Sequence, residues 1–317
     1  MSRFLDPLIP RKSDIVDEAL RHDENGRPLP SIVEISESGI CNRKCSFCPR
    51  SAPDYPDIGE FIDASLVEKL ACQLNEVGFK GIFLFSGFVE PLLDKNIFNL
   101  VALVRQTLKD SRIEIVTNGD MLNDKRLKRL FKSGLSTLLV SVYGKEEAIR
   151  LGKEETLRSG KEEALRFEFM CKNAGLRKDQ YEIRHRYLPP EQDFGITLSN
   201  RAGMMANAEH VIPALTESLK RPCYYPHYTF FMDYKGDVLQ CPHDWGKKFI
   251  VGNMKTQDFK EIWFGKRLTY ARKKLAQGDR GYSPCNVCDV NGTLIGKKHV
   301  ESWAVFDQAG RKDTGVA

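Results

Sequence analysis

Three cysteines at the spacing C-x3-C-x2-C constrain this chain more than any other feature of its sequence. Cys41, Cys45 and Cys48 follow directly after residues 31–36, a run rich in Ile and Val that predicts a short strand. Three thiolates this close together can bind three irons of a cubane iron–sulfur cluster and leave the fourth iron without a protein ligand. The alternatives are an incomplete zinc knuckle and three unrelated thiols. A structural zinc site takes four ligands, and no further His or Cys stands close by in the sequence to supply the fourth.

The triad resembles the signature of the radical S-adenosylmethionine (SAM) superfamily, because Phe47 stands just before the last cysteine. The resemblance implies that the three cysteines hold a [4Fe–4S] cluster whose open iron binds the methionyl amine and carboxylate of SAM. It also implies an external electron donor such as flavodoxin or ferredoxin. Reduction would then break the sulfur–C5′ bond of SAM and release a 5′-deoxyadenosyl radical that takes a hydrogen atom from the substrate.

The composition predicts a globular protein of the cytoplasm. Of its 317 residues, 41% are hydrophobic and 29% are charged, and no apolar run is long enough to span a membrane. The N-terminus lacks the apolar core of a signal peptide. The formal charge of +5 is modest, and Lys and Arg are scattered along helices, so we expect no nucleic-acid partner. Nine cysteines in such a chain indicate metal binding rather than disulfides.

Strand and helix patterns alternate from residue 31 onwards. The predicted strands are 31–36, 81–85, 112–117, 137–142 and 181–187. The predicted helices are 64–77, 97–108, 124–132 and a charged segment that follows the strand 137–142 and ends near 173. This alternation favours an α/β fold with right-handed crossovers: an incomplete TIM-like (β/α) barrel of five or six parallel strands, with its chemistry at their carboxyl ends. A sixth strand is either absent or hidden in 188–222.

The carboxyl ends of the predicted strands carry the candidate cofactor-binding residues. The loop after the second strand matches the family's Gly-Gly-Glu-Pro motif at Gly87, Glu90 and Pro91. The resemblance implies that Glu90 holds the ammonium group of SAM, and the alternative is a surface acid that leads into a helix. The loops after the third and fourth strands resemble family loops that line the ribose and methionyl groups. The candidates are Phe47, Gly87, Glu90, Thr117, Asn118, Ser141 and Arg184.

Two arginines are candidate catalytic residues. The alternation of the fifth strand directs Arg184 and Arg186 towards the inside of the barrel. A buried guanidinium needs an anionic partner, which could be the SAM carboxylate, a polar substrate, or an internal acid such as Glu34 or Glu114. Arg184 or Arg201 could also stabilise an oxyanion formed on the substrate.

Four further cysteines follow the predicted barrel. Cys223 and Cys241 flank an aromatic run and a predicted hairpin at 229–240, and Cys285 and Cys288 form a C-x2-C pair. The pattern resembles the Twitch domain, a shortened SPASM domain. That resemblance implies a second, auxiliary [4Fe–4S] cluster on which every iron has a cysteine ligand. A structural zinc site is the alternative.

A fully ligated auxiliary cluster can still accept an electron. It could take the second electron when a carbon radical beside a hydroxyl is oxidised to a ketone, which predicts a radical SAM oxidoreductase acting on a sugar, cyclitol or other small polar metabolite. In this the chain resembles the compact Twitch enzymes that oxidise an aminocyclitol alcohol. The alternatives are a peptide maturase, a sugar or peptide epimerase, and a non-catalytic metal-binding scaffold.

The sequence predicts four segments. They are a lead-in on the surface at 1–30, the partial barrel at 31–215, the Twitch-like domain at 216–295 and a tail at 296–317. Cys72 and Cys171 fall in predicted helices outside both cysteine sets, and we expect them to pack in the core.

Overall fold

The computed structural model describes residues 4–145 and 152–313, with side chains through residue 308. The strands are β1 Ile32–Ser36, β2 Ser38–Gly39, β3 Ile58–Phe61, β4 Ile82–Phe85, β5 Arg112–Thr117, β6 Thr137–Val142, β7 Tyr181–His185, β8 Thr229–Asp233, β9 Asp237–Leu239 and β10 Ile250–Asn253. The helices are α1 Ile9–Glu18, α2 Ala64–Glu76, α3 Ile97–Thr107, α4 Asp124–Lys132, α5 Lys153–Asn173, α6 Tyr225–Tyr228, α7 Phe259–Trp263, α8 Lys266–Ala276 and α9 Lys297–Asp313. Residues 146–151, which belong to the predicted charged segment, lie outside the described residues.

Eight strands form one sheet in the order β10-β9-β8-β1-β4-β5-β6-β7. All neighbours from β8 to β7 are parallel. The five strands predicted for the barrel are therefore present in the predicted order, with helices between them. The segment 188–222 contains the 3-10 turns Pro190–Gly195 and Arg201–Gly203 and no strand.

The sixth parallel strand is β8, which belongs to the predicted hairpin. It pairs antiparallel with β9 and also parallel with β1, where Ser36 is aligned with Asp233. All five residues of β8 are buried, as a strand inside a sheet requires. The barrel sheet and the strands of the second cysteine region are therefore continuous.

The outer face of the sheet is covered by helices whose apolar residues recur at helical spacing. In α2, Leu66, Leu70 and Leu74 are buried, and Asp63 caps the helix by accepting a hydrogen bond from the Ser65 amide at 2.9 Å. Cys72 lies between these positions and is exposed, contrary to the expected core packing. Cys171 is fully buried in α5, as expected.

The lead-in is not confined to the surface, because α1 packs against the inside of the sheet. Val16 is fully buried in one apolar cluster with Ile32, Ile82 and Leu84, which lie on the inner sides of β1 and β4. The prediction that the lead-in lies on the surface was wrong. The sequence of α1 is mostly polar, and its few apolar residues do not indicate that they pack against a partly polar interior. None of the described helices is long and apolar enough to span a membrane.

Candidate active site

A cavity of about 410 Å³ lies inside the barrel sheet and extends to the carboxyl ends of its strands. Every barrel residue predicted to bind a cluster, SAM or substrate lines it. These residues are Cys41, Cys45, Cys48, Phe47, Gly87, Glu90, Thr117, Asn118, Ser141, Arg184 and Arg201. Five further lining residues lie next to the second cysteine set: Tyr225, His243, Val290, Asn291 and Gly292.

The loop of the first cysteine set is fixed to the loop after β5 by an acid that the sequence analysis did not select. Asp120 accepts hydrogen bonds from Asn42 Nδ2 at 2.7 Å and from Arg43 Nε at 2.6 Å. Arg43 also donates to the Gly144 carbonyl at 3.0 Å, beyond the end of β6. These bonds hold the cysteine loop over the cavity. No local motif distinguishes Asp120 from other loop acids, so the sequence offered no signal for its role.

The end of the cysteine loop is held by a buried arginine. Arg50 is 4% exposed and donates to the carbonyls of Phe88 at 2.9 Å and Gly39 at 3.3 Å. It also forms an ion pair with Asp57. Arg50 thereby joins the cysteine loop to the loop that carries Glu90.

The three thiols suit a cationic metal cluster in their chemistry. They are free and partly buried, and burial raises the pKa of each, that of Cys41 to about 11. Cys48 raises the pKa of Cys41 and Cys45 further, because thiolate charges at short range repel one another. The protein alone therefore keeps these thiols protonated at neutral pH. A bound metal cation supplies the positive charge that ionises such ligands.

Glu90 is a buried carboxylate and not a surface acid. It is 2% exposed, and its Oε1 accepts hydrogen bonds from the Leu92 amide at 2.9 Å and from Thr117 Oγ1 at 2.6 Å. Its Oε2 accepts one, from the Asn118 amide at 2.7 Å. A carboxylate offers about four acceptor positions, so Oε2 keeps one for a cationic ligand in the cavity. Burial raises the pKa of Glu90 to about 6.

The other candidate cofactor-binding residues surround Glu90 or lie across the cavity from it. Gly87 has φ of 94°, and a Cβ there would come within 3.0 Å of the Ser36 Cβ, so a side chain would not fit without movement. Ser141 is buried at the end of β6 and is paired in register with Arg184. Phe47 stacks on Phe194 with ring centroids 4.6 Å apart.

The two inward arginines, Arg184 in β7 and Arg186 just after it, differ in their partners. Arg186 forms an ion pair with Asp6 of the lead-in, so its partner is neither Glu34 nor Glu114. Arg184 Nε is buried without a hydrogen-bond partner among the described residues. Burial and the neighbouring Arg186 lower the pKa of Arg184 to about 10. Arg184 therefore remains a cation that lines the cavity, and it forms no ion pair with a described residue, although Asp6 and Glu34 attract it.

Arg201 lies on a strained turn between the two cysteine regions. Its φ of 48° and that of Ala202, 53°, fall in the left-handed region that residues with a side chain seldom adopt. Asn200 holds the turn by donating from its side chain to the Val287 carbonyl at 2.7 Å, next to Cys288. The guanidinium of Arg201 lies 3.3 Å from His243 Nδ1. Strain of this kind is typical of positions that orient a functional side chain.

The four cysteines of the second set converge on one buried region. Burial raises the pKa of Cys241 well above its usual value, and the thiols of Cys285, Cys223 and Cys288 raise it further. Cys285 Sγ accepts a hydrogen bond from Gln240 Nε2 at 2.9 Å. A Cβ on residue 292 would lie 2.2 Å from Cys223 Sγ, so only glycine fits there.

A buried arginine organises the loops of the second set. Arg280 is 1% exposed and donates to the carbonyls of Arg221 at 3.0 Å, Pro222 at 2.9 Å and Val290 at 3.0 Å. Its positive charge lowers the pKa of Cys223 against the effect of burial. Arg280 was not selected from the sequence, because its partners are carbonyls that no side-chain pattern reveals.

The four thiols of the second set are free, and those of Cys223, Cys285 and Cys288 are buried. Thiolates are the usual ligands of an iron–sulfur cluster, so the chemistry of this donor set suits one. Within the described residues, no group of three or more His, Cys, Asp or Glu side chains is placed to hold a single metal ion.

The chain is similar to known proteins across both cysteine regions. Residues 35–181 match the radical SAM superfamily, and residues 223–289 match the iron–sulfur cluster-binding SPASM domain. The S-adenosyl-L-methionine-dependent 2-deoxy-scyllo-inosamine dehydrogenase of Niallia circulans is 30% identical over 263 residues, which are 82% of this chain and 93% of that protein.

Solved structures of similar proteins also match this chain over most of its length. The crystal structure of BtrN in complex with AdoMet and 2-DOIA has a TM-score of 0.65 and 27% identity, covering 86% of this chain and 97% of BtrN. BtrN in an open conformation has a TM-score of 0.57 and 23% identity over the same shares of the two chains, which shows the fold.

Proposed function

Because this chain belongs to the radical SAM superfamily and carries a SPASM-type domain, we propose that it oxidises an alcohol of a sugar, cyclitol or other small polar metabolite to a ketone. The similar protein of Niallia circulans is named as a dehydrogenase of 2-deoxy-scyllo-inosamine, and it is matched over nearly its whole length. That name supports dehydrogenation over the epimerase, the peptide maturase and the metal-binding scaffold.

The observation that carries the proposal is that the cavity lined by the first cysteine set extends to residues next to the second set, whose own cysteines do not line it. Cys41, Cys45 and Cys48 line the cavity, and Tyr225 lines it from the other side. Tyr225 also packs against both apolar clusters that contain the second set's cysteines, the one with Cys288 and the one with Cys223 and Cys285. A substrate in the cavity would therefore lie between the two sites.

We assign one [4Fe–4S] cluster to Cys41, Cys45 and Cys48, and an auxiliary one to Cys223, Cys241, Cys285 and Cys288. When bound, SAM and these clusters supply a 5′-deoxyadenosyl radical for hydrogen abstraction and an acceptor for the second electron.

The protein's own residues position the reactants and control charge. Glu90 Oε2 holds the ammonium group of SAM, next to the backbone of Asn118. Arg184 or Arg201 stabilises the oxyanion that forms when the substrate hydroxyl releases its proton to solvent, because a cation preorganised in a cavity stabilises developing negative charge.

The sequence patterns also support an electron donor, a cellular location and a division into two functional units. We propose that flavodoxin or ferredoxin supplies the reducing electron and that the enzyme works in the cytoplasm. Residues 31–215 form the SAM-cleaving unit and residues 216–295 form the Twitch-like auxiliary unit.

The proposal predicts the mass balance of the reaction. With its substrate, the anaerobically reconstituted enzyme consumes one SAM for each product that is two hydrogens lighter. Replacing both Cys285 and Cys288 by Ala removes the electron acceptor, so SAM cleavage continues while oxidised product is lost. Mass spectrometry of product and of 5′-deoxyadenosine measures both quantities.

Cys72→Ala is the matched control, since Cys72 is an exposed cysteine outside both sets. It should leave the ratio of product to 5′-deoxyadenosine unchanged. Product of unchanged mass that carries solvent deuterium at one carbon would identify an epimerase and overturn the dehydrogenase proposal.

A further inference from the structure

The inner face of α1 brings a lysine into the cavity. Ile9, Lys12 and Val16 are spaced so that they share one face of the helix. Ile9 and Val16 pack against the apolar cluster inside the barrel, and Lys12 lines the cavity. The protein around Lys12 removes water from its ammonium, which lowers its pKa.

The position of α1 is fixed by ion pairs to the barrel strands. Arg11 pairs with Glu114 of β5 at 2.8 Å. Asp6, just before the helix, pairs with Arg186, which follows β7. Each of these pairs joins the lead-in to a different side of the barrel, so Lys12 is held over the cavity by its helix.

Lys12, Arg184 and Arg201 are three cations in the cavity wall that face the carboxyl group of Glu34. Glu114 and Asp6 also attract Lys12, and Asp6 attracts Arg184, but these two carboxylates are already paired with Arg11 and Arg186. All three exert a Coulombic effect on Glu34, which is 7% exposed and also lines the cavity. Burial raises the pKa of Glu34, although the charges of these cations and a hydrogen bond with Ser86 act to lower it.

None of the three cations takes part in the ion pairs of the cavity wall within the described part of the chain. Those pairs use Arg11, Arg43, Arg50 and Arg186. Lys12 makes no side-chain hydrogen bond with a described residue either. The empty volume between the cations and Glu34 therefore has an excess of positive charge.

A buried cation without an anionic partner is costly, so the occupant of this volume should supply negative charge. The SAM carboxylate can pair with one of the three cations and Glu34 with another, while Glu90 holds the SAM ammonium, so one cation is still left without an anion. A substrate amine would add a further positive charge.

We propose that the substrate is anionic, and that Lys12 binds its carboxylate or phosphate group together with Arg184 or Arg201. Glu34 accepts a hydrogen bond from a substrate hydroxyl beside that group. This inference rests on the proposed function, since it concerns the substrate of the same cavity. It assigns the lead-in a part in substrate selection.

Binding of small probes to the full-length, reconstituted enzyme with SAM present tests the inference without turnover. The probes are D-glucuronate and myo-inositol 1-phosphate as anions, myo-inositol as a neutral polyol and D-glucosamine as a cation, each measured by isothermal titration calorimetry. The wild type should bind at least one anion about tenfold or more tightly than myo-inositol, as one charge-assisted hydrogen bond allows. Which anion it prefers distinguishes a carboxylate from a phosphate ester.

Lys12→Met removes the charge and keeps the apolar stem, and it should abolish the preference for the anion. Lys12→Arg should retain the preference. Lys125→Met, the same change at an exposed position of α4, is the control and should bind like the wild type. Thermal unfolding shows that each variant is folded, and if Lys12→Met is not, Lys12→Gln replaces it.

Equal binding of anionic and neutral probes by the wild type, or an anion preference that survives in Lys12→Met, would overturn the inference. Neither of these binding results tests whether the enzyme oxidises its substrate. An anion preference in an enzyme whose product keeps its hydrogens would overturn the proposed function alone.

Discussion

At the scale of single residues, Glu90 connects the fold to the chemistry. Its carboxylate closes the turn that begins at Pro91 and also binds the end of β5 through Thr117 and Asn118. These three donors hold the side chain rigidly, with one acceptor position of Oε2 left over. A rigid carboxylate loses little conformational entropy when it binds a cation.

Glu90→Gln should weaken SAM binding, because it removes the negative charge while keeping the shape of the side chain. A lost charge-assisted hydrogen bond corresponds to about 1.5–3 kcal/mol, so the Kd for SAM should rise by about tenfold or more. Equilibrium binding to the reconstituted enzyme measures it. Iron content should not change, and Glu76→Gln, at an exposed position of α2, is the control. Unaltered SAM affinity in Glu90→Gln would refute the assignment.

The same assignment fixes the direction of a pH effect. Burial raises the pKa of Glu90 to about 6, and only the ionised carboxylate attracts an ammonium group. The SAM affinity of the wild type should therefore fall as the pH decreases through about 6, and Glu90→Gln should lack that step. An equal step in both proteins would show that another group titrates.

At the scale of elements, the segment predicted as a tail forms α9, a helix that packs into the core through Trp303. Trp303 is 8% exposed and donates from its indole to the His227 carbonyl at 3.3 Å. The guanidinium of Arg272 lies between two indoles, 4.0 Å from the ring centroid of Trp263 and 4.1 Å from that of Trp303. The helix that follows the last cysteine thus completes the core beside α6 and α8.

Trp303→Ala should therefore destabilise the protein strongly. Removing a buried Trp leaves a cavity and costs about 3–5 kcal/mol in the free energy of unfolding. Val305→Ala on the same helix is the control, since Val305 is 68% exposed and its loss should change that free energy by about 0.5 kcal/mol or less. Denaturant unfolding of both variants gives the comparison. Equal stabilities would show that α9 does not belong to the cooperative core.

At the scale of the whole molecule, the cavity lined by the first cysteine set extends to residues next to the second set. The proposed clusters predict about eight irons per chain, four in each cubane. The triple variant Cys41→Ala, Cys45→Ala and Cys48→Ala should retain about four and lose SAM cleavage. Iron analysis and assay of 5′-deoxyadenosine after anaerobic reconstitution test both. A triple variant that still forms 5′-deoxyadenosine would place the radical-generating site elsewhere.

The sequence predicted the features that depend on short spacing. The first cysteine set, the C-x2-C pair of the second set, each barrel strand and the hairpin are each visible in a short stretch of sequence, because metal-ligand spacing and sheet alternation are local patterns. The loop with Glu90 was found in the same way.

Features that depend on distant contacts were not predictable. The parallel pairing of Ile32 with Thr229 joins strands nearly two hundred positions apart. The sequence of neither strand indicates which other strand it pairs with. Lys12 lies in a mostly polar segment, which becomes buried only because it packs against the inside of the barrel sheet. Arg280 and Asp120 act through carbonyls and loop residues, which leave no side-chain pattern in the sequence.

The pairing of β8 with β1 also determines how the chain can be divided. A fragment that ends at residue 215 would leave β1 as an open edge with apolar residues such as Val33 and Ile35 beside unpaired backbone groups, and exposed edges of that kind promote aggregation. The two cysteine regions are therefore not interchangeable modules, and a chimaera that replaces one with a homologous region must preserve the register of Ser36 with Asp233.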